Sequence, residues 1–144
     1  MKTLDSMVYM MWLCFLLHLL ADFWLQGCLA DMKQQEWWQD RLHDMFMRYD
    51  GRNKSMEWTA RLYDKYKFDY LAALVCHSLM WTILMMLPLM WFTDALSWSL
   101  MALANTIIHA WIDQMKANAH RINLVTDQLL HAAQVVATVL ILMI

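Results

Sequence analysis

The chain has 144 residues, 61% of them hydrophobic and only 17% charged, with one Pro and two Gly. So few turn formers argue against an all-β or loop-rich fold, and a formal net charge of −2 argues against nucleic acid as the main partner. Cys14, Cys28 and Cys76 lack CxxC spacing, which speaks against a disulfide framework or a zinc knuckle.

Taken from the N-terminus, the apolar segments predict spans at about 7–26, 70–92, 95–115 and 124–144. Each approaches or reaches the roughly 18–20 residues that cross a bilayer. Gly27 suits the C-cap of the first span, and Pro88 predicts a kink near the far end of the second. Between the second and third there is room only for a tight turn, so those two are antiparallel neighbours.

The connection at 31–69 is polar but patterned. Trp38, Leu42, Met45, Phe46 and Tyr49 recur at helical spacing opposite Asp40, Arg41, Asp44 and Arg48. A turn over Asp50-Gly51-Arg52-Asn53 precedes a second stripe of Trp58, Leu62, Tyr63 and Tyr66. Two surface-lying amphipathic helices with Trp37, Trp38 and Trp58 at headgroup level fit this pattern; so does a soluble helical hairpin capping the bundle. Ten of the 11 basic residues fall at 31–69 and 116–123, leaving Lys2 alone on the other side. The positive-inside rule therefore places both connections in the cytoplasm and both termini outside it. The expected architecture is all-α: a single four-transmembrane-helix bundle with amphipathic helices in the long first cytoplasmic connection. Leu25-Gln26-Gly27-Cys28 has lipobox character, but His18 and Asp22 interrupt the apolar run that a signal segment needs.

Those interruptions are the informative feature. The first span carries His18, Asp22 and Gln26, the third Asn105, His109 and Asp113, and the fourth Asp127 and His131 followed by Gln134, while the second adds His77. Intervals of four put each set on one helix face. Counted inward from the cytoplasmic ends, the four histidines lie about 10–12 Å deep and Asp22, Asp113 and Asp127 about 5–6 Å deep. One ionised Asp at membrane depth costs about 2.5 kcal/mol or more. Seven such groups must therefore pair, line water or bind a cation. Imidazole with carboxylate is the ligand set for Zn, Mn or Fe, and helical bundles build such sites from facing side chains. His18, Asp22, His77, His109, Asp113, Asp127 and His131 are the candidate ligands for one or two divalent transition-metal ions. Some of the Asp residues could instead orient the rings, and interhelical hydrogen bonding is the competing reading of each pair. Lys116, three residues after Asp113, can reach an anionic headgroup or substrate phosphate, or simply snorkel.

The motifs His18-Leu-Leu-Ala-Asp22-Phe-Trp-Leu-Gln26, Lys33, His77, His109-Ala-Trp-Ile-Asp113-Gln-Met-Lys116 and Asp127-Gln128-Leu-Leu-His131 resemble a family of small phage and bacterial membrane proteins, domain of unknown function 3307. The resemblance covers all four spans but not the 31–69 connection. It implies a multi-pass protein of the bacterial inner membrane and supplies no activity. A looser likeness, to membrane-bound metal-dependent hydrolases, rests on the style of the motifs.

Three functions follow as expectations. In the first, a metal-dependent hydrolase acts on a lipid-linked substrate, with Asp22, Asp113 and Asp127 as ligands or general bases and Gln26, Gln128 and Lys116 toward substrate or water. In the second, a phage or prophage protein binds a host membrane component through its Trp-rich surface helices, with the His/Asp layer structural. The third, ion or proton transport, has few polar stepping stones in the outer half: Ser97, Ser99, Asn105, Thr106 and Thr138. The lipid bilayer is the expected partner in all three, and an oligomer is compatible with each.

Overall fold

The structure, a computed structural model, describes residues 4–49 and 56–144, which are helical with no strand among them. The turn expected over Asp50–Asn53 and the side chains of Phe46, Arg48, Tyr49 and Trp58 lie outside the described positions.

Four helical segments are long and apolar enough to cross a membrane: Leu4–Leu25, Ala60–Trp91, Ala95–Ala117 and Leu124–Met143. Helix α1 (Leu4–Leu19) runs into a π-helical turn (Leu20–Leu25), and Gly27, at φ +49°, ends it in the left-handed conformation that glycine adopts without penalty. The next helix in the bundle, α5 (Asp69–Met86), gives way to a 3₁₀ stretch (Leu87–Trp91) that begins around Pro88. That proline cannot donate to the α-helical ladder, so the expected kink takes the form of a tightened last turn. Asp94 caps α6 (Ala95–Ala117), accepting from the backbone N–H groups of Leu96 and Ser97. The Ser97 N–H holds its carboxyl below the ordinary carboxylate range. Asn123 caps α7 (Leu124–Met143) through the Thr126 N–H. The four long helices close a ring in which α1 packs on α5, α5 on α6, α6 on α7 and α7 on α1.

The ring is polar inside and apolar outside. His18, Asp22, His77, Asn105, His109, Asp113, Asp127, His131, Gln134 and Thr138 are buried, while Leu96, Leu100, Leu103, Ile107, Trp111, Leu129 and Ile141 face outward. A large apolar exterior is costly in water and favourable in hydrocarbon. At the far end the core is conventional, with Cys14, Met85, Met86, Leu89, Val139 and Met143 packed together.

The long connection begins with one helical turn, α2 (Leu29–Met32), followed by α3 (Gln35–Tyr49) and α4 (Met56–Tyr66). Among the described residues α3 contacts α4, and Trp38 stacks on Tyr66 with ring centroids 6.4 Å apart and planes 13° apart, a packing that both readings of this region allow. The anchor of the connection to the bundle is Asn118, just after α6. The Asn118 amide accepts from the Gln35 N–H at 2.7 Å and donates to the Lys33 carbonyl at 3.1 Å.

Cysteine reactivity tests the placement of α5. Cys28 and Cys76 are exposed and Cys14 is buried. In vesicles opened to both faces, a membrane-impermeant maleimide should label Cys28, reach Cys76 only after detergent extraction, and reach Cys14 only after unfolding. Equal labelling of Cys76 and Cys28 in the bilayer contradicts an embedded α5.

Candidate metal centre

Each helix of the ring delivers ionisable groups to one place, at the end that carries the α2–α4 connection. The π-helical turn brings Asp22, α5 brings His77, α6 brings His109 and Asp113, and α7 brings Asp127 and His131. Asp113 stands at the centre. Its Oδ2 lies 3.2 Å from His77 Nε2 and 3.8 Å from His109 Nε2, and its Oδ1 lies 3.3 Å from His131 Nε2. The Nε2 atoms of His77 and His109 are 3.2 Å apart. Flanking carboxylates complete the ring of donors: Asp22 Oδ1 is 3.6 Å from His77 Nε2 and Asp127 Oδ1 is 3.4 Å from His131 Nε2.

These spacings can be tested against coordination geometry. A tetrahedral zinc with ligands at about 2.0–2.1 Å separates its donor atoms by about 3.3–3.4 Å. The measured donor separations run from 3.2 to 3.8 Å. Two overlapping triads, Asp22/His77/His109 and His109/Asp113/His131, can each hold an ion. Within each triad the donor atoms lie within 4.8 Å of one another, so the residue types suit a divalent transition metal, and the donors must draw closer to reach tetrahedral spacing.

Ring orientation comes from stacking. Trp81 lies on His109 and His109 on His131, each with centroids 4.1 Å apart. The outward Nδ1 atoms of His77, His109 and His131 are buried without a hydrogen-bond partner. Stacking fixes the planes of the His109 and His131 rings but accepts no N–H, so these Nδ1 groups lack the carboxylate or carbonyl that stands behind many ligating imidazoles.

His18 departs from the expected ligand set. Trp81 Nε1 donates to its Nδ1 at 2.8 Å, which makes Nε2 the protonated nitrogen, and Nε2 faces Gln128 Oε1 at 3.3 Å. No lone pair remains for an ion. Its ring still belongs to the imidazole layer, 5.8 Å from that of His131. Gln128 in turn donates to Asp22 Oδ2 at 2.7 Å and Asp127 Oδ2 at 3.2 Å. Trp81, His18 and Gln128 therefore form one chain that orients the two flanking carboxylates, so Gln128 is turned to the acids rather than to an open cleft.

Lys33 is the residue that spacing did not single out as part of the site. Its ammonium reaches Asp113 Oδ2 at 2.6 Å, His77 Nε2 at 3.2 Å and Gln26 Oε1 at 3.4 Å, and it is only 8% exposed. Gln26 also donates its amide to the Asp22 carbonyl. Lys116 pairs with Asp127 Oδ2 at 2.7 Å. Above Asp113 opens a cleft of about 280 Å³ lined by Gln26, Lys33, Gln34, Lys116 and His120. His120 sits at its rim, paired with Glu36 at 3.3 Å.

A second polar tier lies deeper. The Asn105 side-chain oxygen accepts from Gln134 Nε2 at 2.8 Å and from Thr138 Oγ1 at 3.0 Å. This neutral tier ties α6 to α7, the glue expected of amides in a lipid-embedded bundle. Of the outer hydroxyls, those of Ser99 and Thr106 return to carbonyls of α6 itself.

No protein-family model, curated protein or solved structure matches the chain.

Removing Lys33 leaves the Asp113 carboxylate buried without its closest cation. In metal-free protein Lys33→Met should cost about 3–5 kcal/mol, read as a fall in thermal midpoint in detergent. The double variant with Asp113→Asn should cost clearly less than the two single changes added together. Strict additivity contradicts direct coupling of the pair.

Proposed function

We propose that this chain is a multi-pass bacterial inner-membrane protein whose His/Asp centre holds a divalent transition metal and hydrolyses a membrane-associated substrate. The observation that supports this best is the meeting of three imidazole Nε2 atoms with carboxylate oxygens at ligand spacing under a cleft that reaches Asp113. The positive-inside reading puts that cleft on the cytoplasmic face, where water and a lipid-borne group can both arrive. The motif likeness to domain of unknown function 3307 agrees with the proposed membrane.

On this reading His77, His109, His131 and Asp113 hold the ion, with Asp22 on the flank. A bound divalent ion supplies Lewis-acid polarisation and acidifies water toward a pKa of about 7. Asp127 is the proton acceptor: its Oδ1 faces His131 Nε2 at 3.4 Å, while Lys116 and Gln128 hold the other oxygen. Gln26, Lys33 and Lys116 line the cleft and orient what enters it. His18 and Trp81 act at one remove, by fixing Gln128 and the imidazole stack.

Metal analysis tests the reading. Protein purified in detergent after metal-replete expression should carry one or two equivalents of Zn, Mn or Fe, and the folded His109→Ala and His131→Ala variants should lose most of it. Asp127→Asn should keep its metal and lose about 10²–10⁴-fold in turnover, the usual worth of a general base. Sub-stoichiometric metal in the parent protein overturns the proposal.

A further inference from the structure

The polar end of the bundle has a charge balance that narrows the substrate. Asp22, Asp113 and Asp127 bring three negative charges, and Lys33 and Lys116, ion-paired with Asp113 and Asp127, bring two positive ones. Ligating imidazoles are neutral, so the centre by itself carries one net negative charge. One divalent ion turns this into a net positive charge, and a second adds two more.

That excess lies where the buried carboxylates meet the cleft, with Lys116, its side chain 34% exposed, at the boundary. The two lysines sharpen the point. Lys33 Nζ now lies 2.6 Å from Asp113 Oδ2 and 3.2 Å from His77 Nε2, the donor atoms an ion would use. An ion and an ammonium repel each other at such range, so occupation of the centre drives Lys33 off Asp113. The space that its side chain already lines is the cleft, where Gln26, Gln34 and Lys116 stand beside it. A neutral ester or amide entering there leaves the positive excess uncompensated. A tetrahedral oxyanion compensates it, with separate oxygens for the ion, for the two ammoniums and for the Gln26 amide.

We infer that the cleft over Asp113 is a phosphate site, built by Lys33, Lys116 and Gln26, and that the group taken by the centre is a phosphate ester rather than an acyl group. This rests on the metal reading above and specifies its substrate class. Hydrolysis of a phosphomonoester there forms one P–O bond from water and breaks the P–O bond to the alcohol. The water proton passes to Asp127 and on to the leaving alkoxide oxygen, and no redox partner is needed.

The test is linkage, measured without turnover. Mn²⁺ affinity of the detergent-purified protein is read by electron paramagnetic resonance, alone and with inorganic phosphate or acetate. Phosphate should tighten Mn²⁺ binding about tenfold, within the usual range for coupled sites, and acetate should not. Lys116→Met should shrink the phosphate effect to less than about twofold, and Lys116→Arg should keep most of it. The same titration in nanodiscs containing phosphatidic acid, corrected for protein-free discs, identifies the source. Tightening there, absent with phosphatidylcholine alone, assigns a lipid headgroup; tightening by inorganic phosphate only assigns a water-borne ester. Mn²⁺ binding that neither phosphate source changes overturns the phosphate site and leaves the metal centre standing. Failure to bind Mn²⁺ at all overturns both.

Discussion

A carboxylate inside a bundle of apolar helices has to be neutralised on the spot, and Asp113 sets that requirement for the whole polar end of this protein. It is 2% exposed and faces His77, His109, His131 and the Lys33 ammonium. Each of those partners comes from a different part of the chain except His109, one turn earlier on α6. Satisfying one charge therefore fixes the rotation of α5, α6 and α7 and the placement of α2. The Asn118 amide then locks the connection in place, bonding Lys33 and Gln35 through their backbone. An isolated ionised group at this depth would cost several kcal/mol. Shared among imidazoles and an ammonium, it becomes the element that gives the bundle a unique arrangement.

The two polar tiers differ in chemistry. In the deeper one, Asn105 and Thr138 are neutral and satisfy each other within a pair of helices, as helix-joining amides and hydroxyls do in lipid. The tier around Asp113 is charged, draws on every long helix, and has a cleft above it. On the proposed reading the charged tier holds an ion beneath the cleft, and the neutral tier joins helices.

Much of this was legible in the sequence because bilayer length and helical period are strong constraints. Four helices long and apolar enough to cross a membrane stand where four were expected, the second beginning at Ala60 rather than at 70, and the interval of four brought His109 with Asp113 and Asp127 with His131 to the interior. What escaped depends on contacts between segments distant in sequence. Lys33 was named in the motif likeness without a role, and the single turn of α2 folds it back toward Asp113. Trp81 is one of nine tryptophans in the chain, and its place between His18 and His109 is not encoded in any local pattern. The sole hint was its spacing of four from His77. His18 shared its interval with Asp22, but the π-helical turn intervenes, and the ring turns to Trp81 and Gln128 instead. Periodicity assigns a face; it does not say which nitrogen is already taken.

The central claim is that imidazoles from α5, α6 and α7 meet at one ion. X-ray absorption at the zinc edge, on zinc-loaded protein in nanodiscs, addresses this directly. The predicted result is a shell of N/O ligands at about 2.0–2.1 Å with the outer scattering of two or three imidazoles, reduced by one ring in His131→Ala. An all-oxygen shell without imidazole scattering, or a spectrum that His109→Ala and His131→Ala leave unchanged, would contradict it.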